Sequence, residues 1–298
     1  MNLEVITRTP IGQPRPTPLL FVHGAYSAAW IWDRHFLPFF ADRGYEAHAL
    51  SLRGHGTSEG HELLRSWRLR DFVADVEQVA AALPRSPVLI GHSMGGMVVQ
   101  KVLHRRSVPA AVLLAPVPPH GLFGSQLSIA LTNPELLCEL AWADILGPRS
   151  VPGGAVRRAL FSDDGRSGDG EVRSYLERFQ PESTLVVFDL LGLDLPPSLP
   201  RLDLPVLVLG AEHDGFLPAF SGALEATART YRTRPEVLPG IAHMMMLDHG
   251  WEAVARRILN WLDTTLGDGP GRRQVAQEAS TSRRGASRAK LEKPELTD

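Results

Sequence analysis

The chain has 298 residues, 31 basic and 33 acidic side chains, a formal net charge of -2, 44% hydrophobic residues and one cysteine. Such length and apolar content can bury a sizeable core in one large or two modest domains. The near-neutral balance supplies no general field for phosphate backbones, and the lone Cys138 has no intramolecular partner, so neither nucleic-acid binding nor a disulfide framework organises this chain.

Residues 1–10, MNLEVITRTP, lack a basic stretch followed by an apolar run, and no segment reaches the roughly 18 apolar residues that span a bilayer. A cytoplasmic protein acting on a small-molecule substrate, with no membrane or nucleic-acid partner, is expected; the sequence leaves its oligomeric state unknown. Only Lys101, Lys290 and Lys293 are lysines, which leaves lysine-based mechanisms few candidates.

Strand-like apolar runs recur at 19–22, 46–50, 88–90, 111–115 and 206–209, separated by helical patterns. This alternation predicts an α/β fold, a mostly parallel central sheet with helices on both faces. Phe72, Val73, Val76, Val79, Ala80 and Leu83 recur at three- and four-residue spacings, predicting an amphipathic helix over 71–83 that stops before Pro84. The alternation breaks over 117–198, a stretch too long for a structureless loop, which predicts a mainly helical lid inserted into a core formed by 1–116 and 199–266. Residues 251–262 carry one more apolar stripe and predict a final helix. The segment 267–298 has almost no large apolar residues and is expected to be disordered.

Gly91-His92-Ser93-Met94-Gly95 follows the run PVLI and precedes a helical pattern, which is G-x-S-x-G in a strand-turn-helix setting. So sharp a turn needs glycine on either side of the serine. It lifts the Ser93 hydroxyl off the sheet and aims the Met94 N–H at the place of a substrate carbonyl oxygen. A serine hydroxyl needs a base, and the base needs an orienting acid. His243, in PGIAH late in the chain before the last helix, fits the order serine, acid, histidine. Asp214 follows the strand VLVL at the carboxyl end where open α/β sheets place their sites, whereas Asp203 precedes it. Glu212 reads as a solvated loop residue, and the His92 side chain is expected to point elsewhere on the turn. The loop FVHGAYS offers a second oxyanion donor, the Ala25 N–H beside Gly24, with Tyr26 and Met244 as candidate substrate-binding residues.

Together, H-G at 23–24, R-G-H-G-x-S at 53–58, G-H-S-M-G-G at 91–96, L-G-A-E-H-D at 209–214 and P-G-I-A-H at 239–243 resemble the α/β-hydrolase superfamily over roughly residues 17–265. The resemblance implies a triad Ser93, Asp214, His243, oxyanion donors Ala25 and Met94, and a lid over an apolar pocket. The short oxyanion loop looks like that of plant methylesterases and bacterial carboxylesterases. Haloalkane dehalogenases and epoxide hydrolases of this superfamily carry aspartate at the nucleophile position, so Ser93 speaks for acyl chemistry. Lys101 lies two helical turns beyond Ser93 and cannot serve as its base. No metal and no cofactor is expected: H-E-x-x-H, C-x-x-C, GxGxxG and the P-loop are all missing, and His61-Glu62 has no second histidine at zinc spacing. Cys138, in the apolar run LLCELAW, is expected to be buried.

The sequence therefore predicts a serine hydrolase cleaving a carboxylic ester with an apolar portion through an acyl-enzyme, a carboxylesterase. Thioesterase, lactonase, cofactor-free haloperoxidase or lyase activity on the same residues, and a non-catalytic small-molecule receptor, stand as alternatives.

Overall fold

The computed structural model describes residues 1–146, 154–162, 169–197, 204–217 and 222–267; the expected disordered tail lies, Gly267 apart, outside them. Seven strands form one sheet: β1 (Val5–Arg8), β2 (Leu19–Val22), β3 (Ala47–Leu50), β4 (Val88–His92), β5 (Ala111–Leu114), β6 (Val206–Ala211) and β7 (Pro235–Leu238). Their order is β1-β3-β2-β4-β5-β6-β7. β1 runs antiparallel to β3, and every other pair is parallel.

Strands covered on both faces read as unbroken apolar runs, which is why β2 through β6 were visible in the sequence. Within β2, Leu19 and Phe21 enter one core and Leu20 and Val22 the other. Helices α1 (Trp30–Asp33), α2 (Phe36–Ala41) and α11 (Trp251–Thr265) cover the first face, where Phe21 packs 5.0 Å from Trp32 and 5.7 Å from Phe40 between ring centroids. The second face carries α3 (Leu69–Ala82), α4 (Met94–Leu103) and α10 (Ala223–Thr230). α3 opens with the Arg68 N–H donating to the Asp71 carboxylate at 2.9 Å and closes ahead of Pro84, as the periodicity predicts. β1 was not anticipated. It is an edge strand with no fully buried residue, so it carries no apolar run to read.

Between β5 and β6 the described chain is helical: α5 (Phe123–Thr132), α6 (Pro134–Leu146), α7 (Gly154–Leu160), α8 (Asp169–Leu176), α9 (Thr184–Phe188) and a π-helical turn (Asp189–Leu193). Ile129, Leu136, Ala155 and Ala159 form a small apolar cluster of their own there. Cys138 is exposed, contrary to expectation. Leu136 is buried and Leu137 and Leu140 face a cavity, so the inward surface of α6 is set by those residues and Cys138 falls on the outer side. No helix among the described residues is long and apolar enough to cross a membrane.

Candidate active site

The loops that follow β2, β4, β6 and β7 all leave the carboxyl edge of the sheet. β2 and β4 are neighbours although β3 lies between them in sequence, which creates a topological switch point where crevices form in such sheets.

Ser93 sits at this point with φ +52°, a left-handed conformation that a non-glycine residue holds only when its surroundings enforce it. The enforcement is visible. A Cβ on Gly91 would lie 2.5 Å from the Gly95 carbonyl oxygen, and one on Gly95 would lie 2.4 Å from the carbonyl oxygens of both Val22 and His23. The flanking glycines let the turn from β4 into α4 press against the end of β2. A Cβ on Gly24 would meet the Ser93 Cβ at 3.1 Å, so the loop after β2 touches the serine.

Met94 is the first residue of α4, and neither its N–H nor that of Ala25 has an acceptor among the described residues. Both residues line the same cavity as Ser93 and His243. Two unpaired donors beside a serine, one at a helix N-terminus, suit a developing oxyanion. Tyr26 and Met244 also line that cavity.

His243 Nδ1 and Asp214 Oδ2 are 2.8 Å apart, both side chains nearly fully buried. The other oxygen of Asp214 accepts the N–H groups of Phe216 at 2.9 Å and Leu217 at 2.7 Å, which fixes the carboxylate in its turn. The Phe216 ring packs 5.1 Å from the imidazole. His243 and Ser93 face one cavity, yet no hydrogen bond joins them. Such contacts often tighten only when substrate arrives.

His92 does more than the sequence suggested. Rather than pointing away from the chemistry, it lies 4.7 Å from the His243 ring and donates through Nε2 to the His243 carbonyl at 2.9 Å. Burial, reinforced by His243, pushes its pKa well below 6.5, so it is a neutral brace. Asp248 is a second unforeseen support. Fully buried, it accepts the Ala242 N–H at 2.7 Å and the Ser162 hydroxyl at 2.6 Å, anchoring the loop that carries His243. The carbonyls of Ala159 and Leu160 at the end of α7 receive the N–H groups of Gly215 and Met244, tying the loops of Asp214 and His243 to one helix.

The segment between α8 and α9 grips the loop after β2. Gln180 N donates to the Tyr26 carbonyl at 2.9 Å, and the Tyr26 N–H donates to Glu182 Oε2 at 3.3 Å. Glu182 Oε2 also lies 3.2 Å from His55 Nε2, both side chains wholly buried. Burial opposes charge on His55, but Glu182, the Arg53 carbonyl and Asp75 outweigh it and raise the His55 pKa above 6.5. Glu182 carried no motif to betray it, being one of many carboxylates in the insertion.

Glu212 is exposed and its carboxylate accepts the Gly240 N–H at 2.8 Å. Lys101 is engaged with the Asp194 carboxylate at 2.6 Å, away from Ser93. No cluster of three or more histidine, cysteine or acidic side chains suited to a metal occurs among the described residues.

A family model described as the alpha/beta hydrolase family matches residues 19–257. The chain belongs to the alpha/beta hydrolase family. A non-heme chloroperoxidase of Streptomyces lividans is 38% identical over 257 residues, covering 78% of this chain and 87% of that protein. A non-heme haloperoxidase of Rhodococcus erythropolis is 27% identical over 251 residues, covering 76% and 86%. An esterase of Thermogutta terrifontis shares the fold at a TM-score of 0.66 and 20% identity, covering 88% of this chain and 94% of its own. Further relatives of this hydrolase include an esterase/perhydrolase and epoxide hydrolases.

Proposed function

We propose that this alpha/beta hydrolase cleaves a carboxylic ester with an apolar portion through an acyl-enzyme on Ser93. The observation that carries the reading is the meeting, on one cavity wall, of Ser93, the Asp214-supported His243 and the two unpaired N–H groups of Ala25 and Met94.

In this mechanism Ser93 Oγ attacks the ester carbonyl while His243 Nε2 takes its proton. Asp214 holds the imidazole tautomer and stabilises the resulting cation. The N–H groups of Ala25 and Met94 bind the tetrahedral oxyanion. As the intermediate collapses, the carbon–oxygen bond to the alcohol breaks and His243 returns the proton to the departing oxygen. Water, deprotonated by His243, then attacks the acyl-enzyme and releases the acid and Ser93.

The cavity is about 360 Å³ and lined chiefly by aliphatic and aromatic side chains, among them Ile129, Leu140, Leu160, Phe179 and Leu190. Burial of an apolar group there is worth roughly 0.8 kcal/mol per methylene. The described part of the stretch 117–198 supplies most of this lining, which supports its reading as a lid. Epoxide opening is disfavoured because an attack on alkyl carbon would leave an ether on Ser93 that water does not readily cleave.

A second reading follows from the haloperoxidase relatives. Hydrogen peroxide replacing water in the second step would give a peroxy acid from the same acyl-enzyme, able to oxidise halide outside the site. It needs no residue beyond those named.

Hydrolysis of a chromogenic acyl ester by the wild type, lost in Ser93→Ala, is the expected result. Unchanged turnover in that variant would refute the assignment. Peroxide-dependent halogenation with added carboxylic acid would favour the second reading.

A further inference from the structure

Leu122, the residue that caps α5, and Ser125, Gln126 and Ile129 within it face the cavity, a spacing of three, four and seven that places all four on one stripe. Two of the four are polar, and they are adjacent. Away from Ser93, His92, His243 and Tyr26, they are the polar side chains of the described wall, and none of the described lining residues is acidic, lysine or arginine.

Ser125 is 7% exposed. A serine inside a helix ordinarily returns its hydroxyl to the carbonyl four residues back, but no hydrogen bond from Ser125 Oγ or from the Gln126 amide is made within the described protein. The Ser125 hydroxyl is not sealed off either, since it is absent from the buried side-chain atoms that lack a partner. It opens to the cavity. A hydroxyl and a primary amide that face an apolar chamber with no protein partner cost free energy once an occupant covers them without pairing with them.

We propose that Ser125 and Gln126 form a polar subsite, and that the ester this site takes carries a neutral hydrogen-bonding group, a hydroxyl, ketone or amide, on its apolar arm. Both side chains donate and accept, so either polarity of group is served. A charged tip is disfavoured, because no opposite charge lines the described wall to offset its desolvation. A plain hydrocarbon arm is disfavoured for the converse reason: it would strip water from Ser125 and Gln126 and return nothing. Sites built to hydrogen-bond a substrate group discriminate strongly against the analogue that lacks it. This inference rests on the ester-hydrolase reading of the same cavity and narrows its substrate class.

The test uses p-nitrophenyl esters of increasing acyl length in matched sets, tipped with methyl, hydroxyl, primary amide or carboxylate, and a parallel set of acetates with the same tips on the alcohol arm. At one arm length the wild type is expected to favour the hydroxyl- or amide-tipped ester at least tenfold in kcat/KM over the methyl-tipped one, with the carboxylate poorest. In Ser125→Ala/Gln126→Leu that ratio is expected to invert. If the double variant does not fold, Ser125→Ala alone is expected to reduce it.

Calorimetric binding of the same esters to Ser93→Ala reads the subsite without the chemistry. Preferential binding of the polar-tipped ester together with no turnover by the wild type would uphold the subsite and overturn the hydrolase reading. Turnover with no preference for a polar tip in either series, a preference untouched by the substitutions, or no binding of any tipped ester would overturn the subsite.

Discussion

The Tyr26 N–H donates to the buried carboxylate of Glu182, so the residue next to Ala25, the proposed oxyanion donor, is held by the helical insertion rather than by the sheet. Tyr26 has φ +62°, and its carbonyl is taken by Gln180 from the same segment. The direction of the Ala25 N–H therefore depends on a contact made across the cavity rim.

Glu182→Ala removes that contact, and Glu182→Gln keeps an acceptor for Tyr26 while discharging the pair with His55. Misplacement by about 1 Å at a reacting centre costs up to roughly a hundredfold. The expected result is a 10- to 100-fold fall in kcat for Glu182→Ala at nearly constant KM, with most activity regained in Glu182→Gln. Steady-state kinetics on one ester decide it; equal loss in both would mean that Tyr26 is not the route.

The buried histidines make stability depend on pH in two directions. Burial, with His55 adding to it, lowers His23 to about 3, and His92 is likewise depressed. The unfolded chain binds these protons near pH 6.5 and the folded chain does not, so stability present above 6.5 is lost as pH falls towards 3. The slope is about 1.4 kcal/mol per pH unit for each such histidine. His55 is raised, so the stability it contributes is full below 6.5 and is lost as pH rises through its elevated folded value. Urea unfolding is expected to show a maximum near neutrality, with the alkaline decline absent in Glu182→Gln.

Gly95→Ala is expected to destabilise the fold by about 3 kcal/mol or more, since the new methyl meets two backbone carbonyls at 2.4 Å that cannot withdraw without moving β2. Gly124→Ala, in open space on α5, is expected to leave the melting temperature unchanged or raise it slightly. Thermal melts of the two variants provide the comparison.

Local chemistry explains what the sequence disclosed. The glycines at 91 and 95 announce a turn that no other residue permits, and strands β2 to β6, buried on both faces, announce themselves as apolar runs. Asp214 and His243 were legible from their places after strands. His92, Asp248, Gln180 and Glu182 were not, because each acts through backbone groups or a partner remote in sequence: His92 reaches His243, and Gln180 and Glu182 reach Tyr26. Cys138 misled because α6 is apolar on more than one side, with Trp142 also exposed. Composition there does not reveal which face turns inward.

Asp214→Asn is expected to preserve the fold and to lower kcat by about ten-thousandfold, because an amide holds the His243 imidazole in the wrong tautomer. Measured kcat alongside an unshifted melting temperature would establish this; a loss below tenfold would remove Asp214 from the reaction.

The central claim is that Ser93 becomes a nucleophile in this cavity. Intact-mass measurement after exposure to an aryl phosphonate ester, followed by peptide mapping, tests it directly. One phosphonyl group per chain, located on Ser93 and absent from His243→Ala, is predicted. No adduct on the wild type, or an adduct on another residue with Ser93 unmodified, would contradict the account.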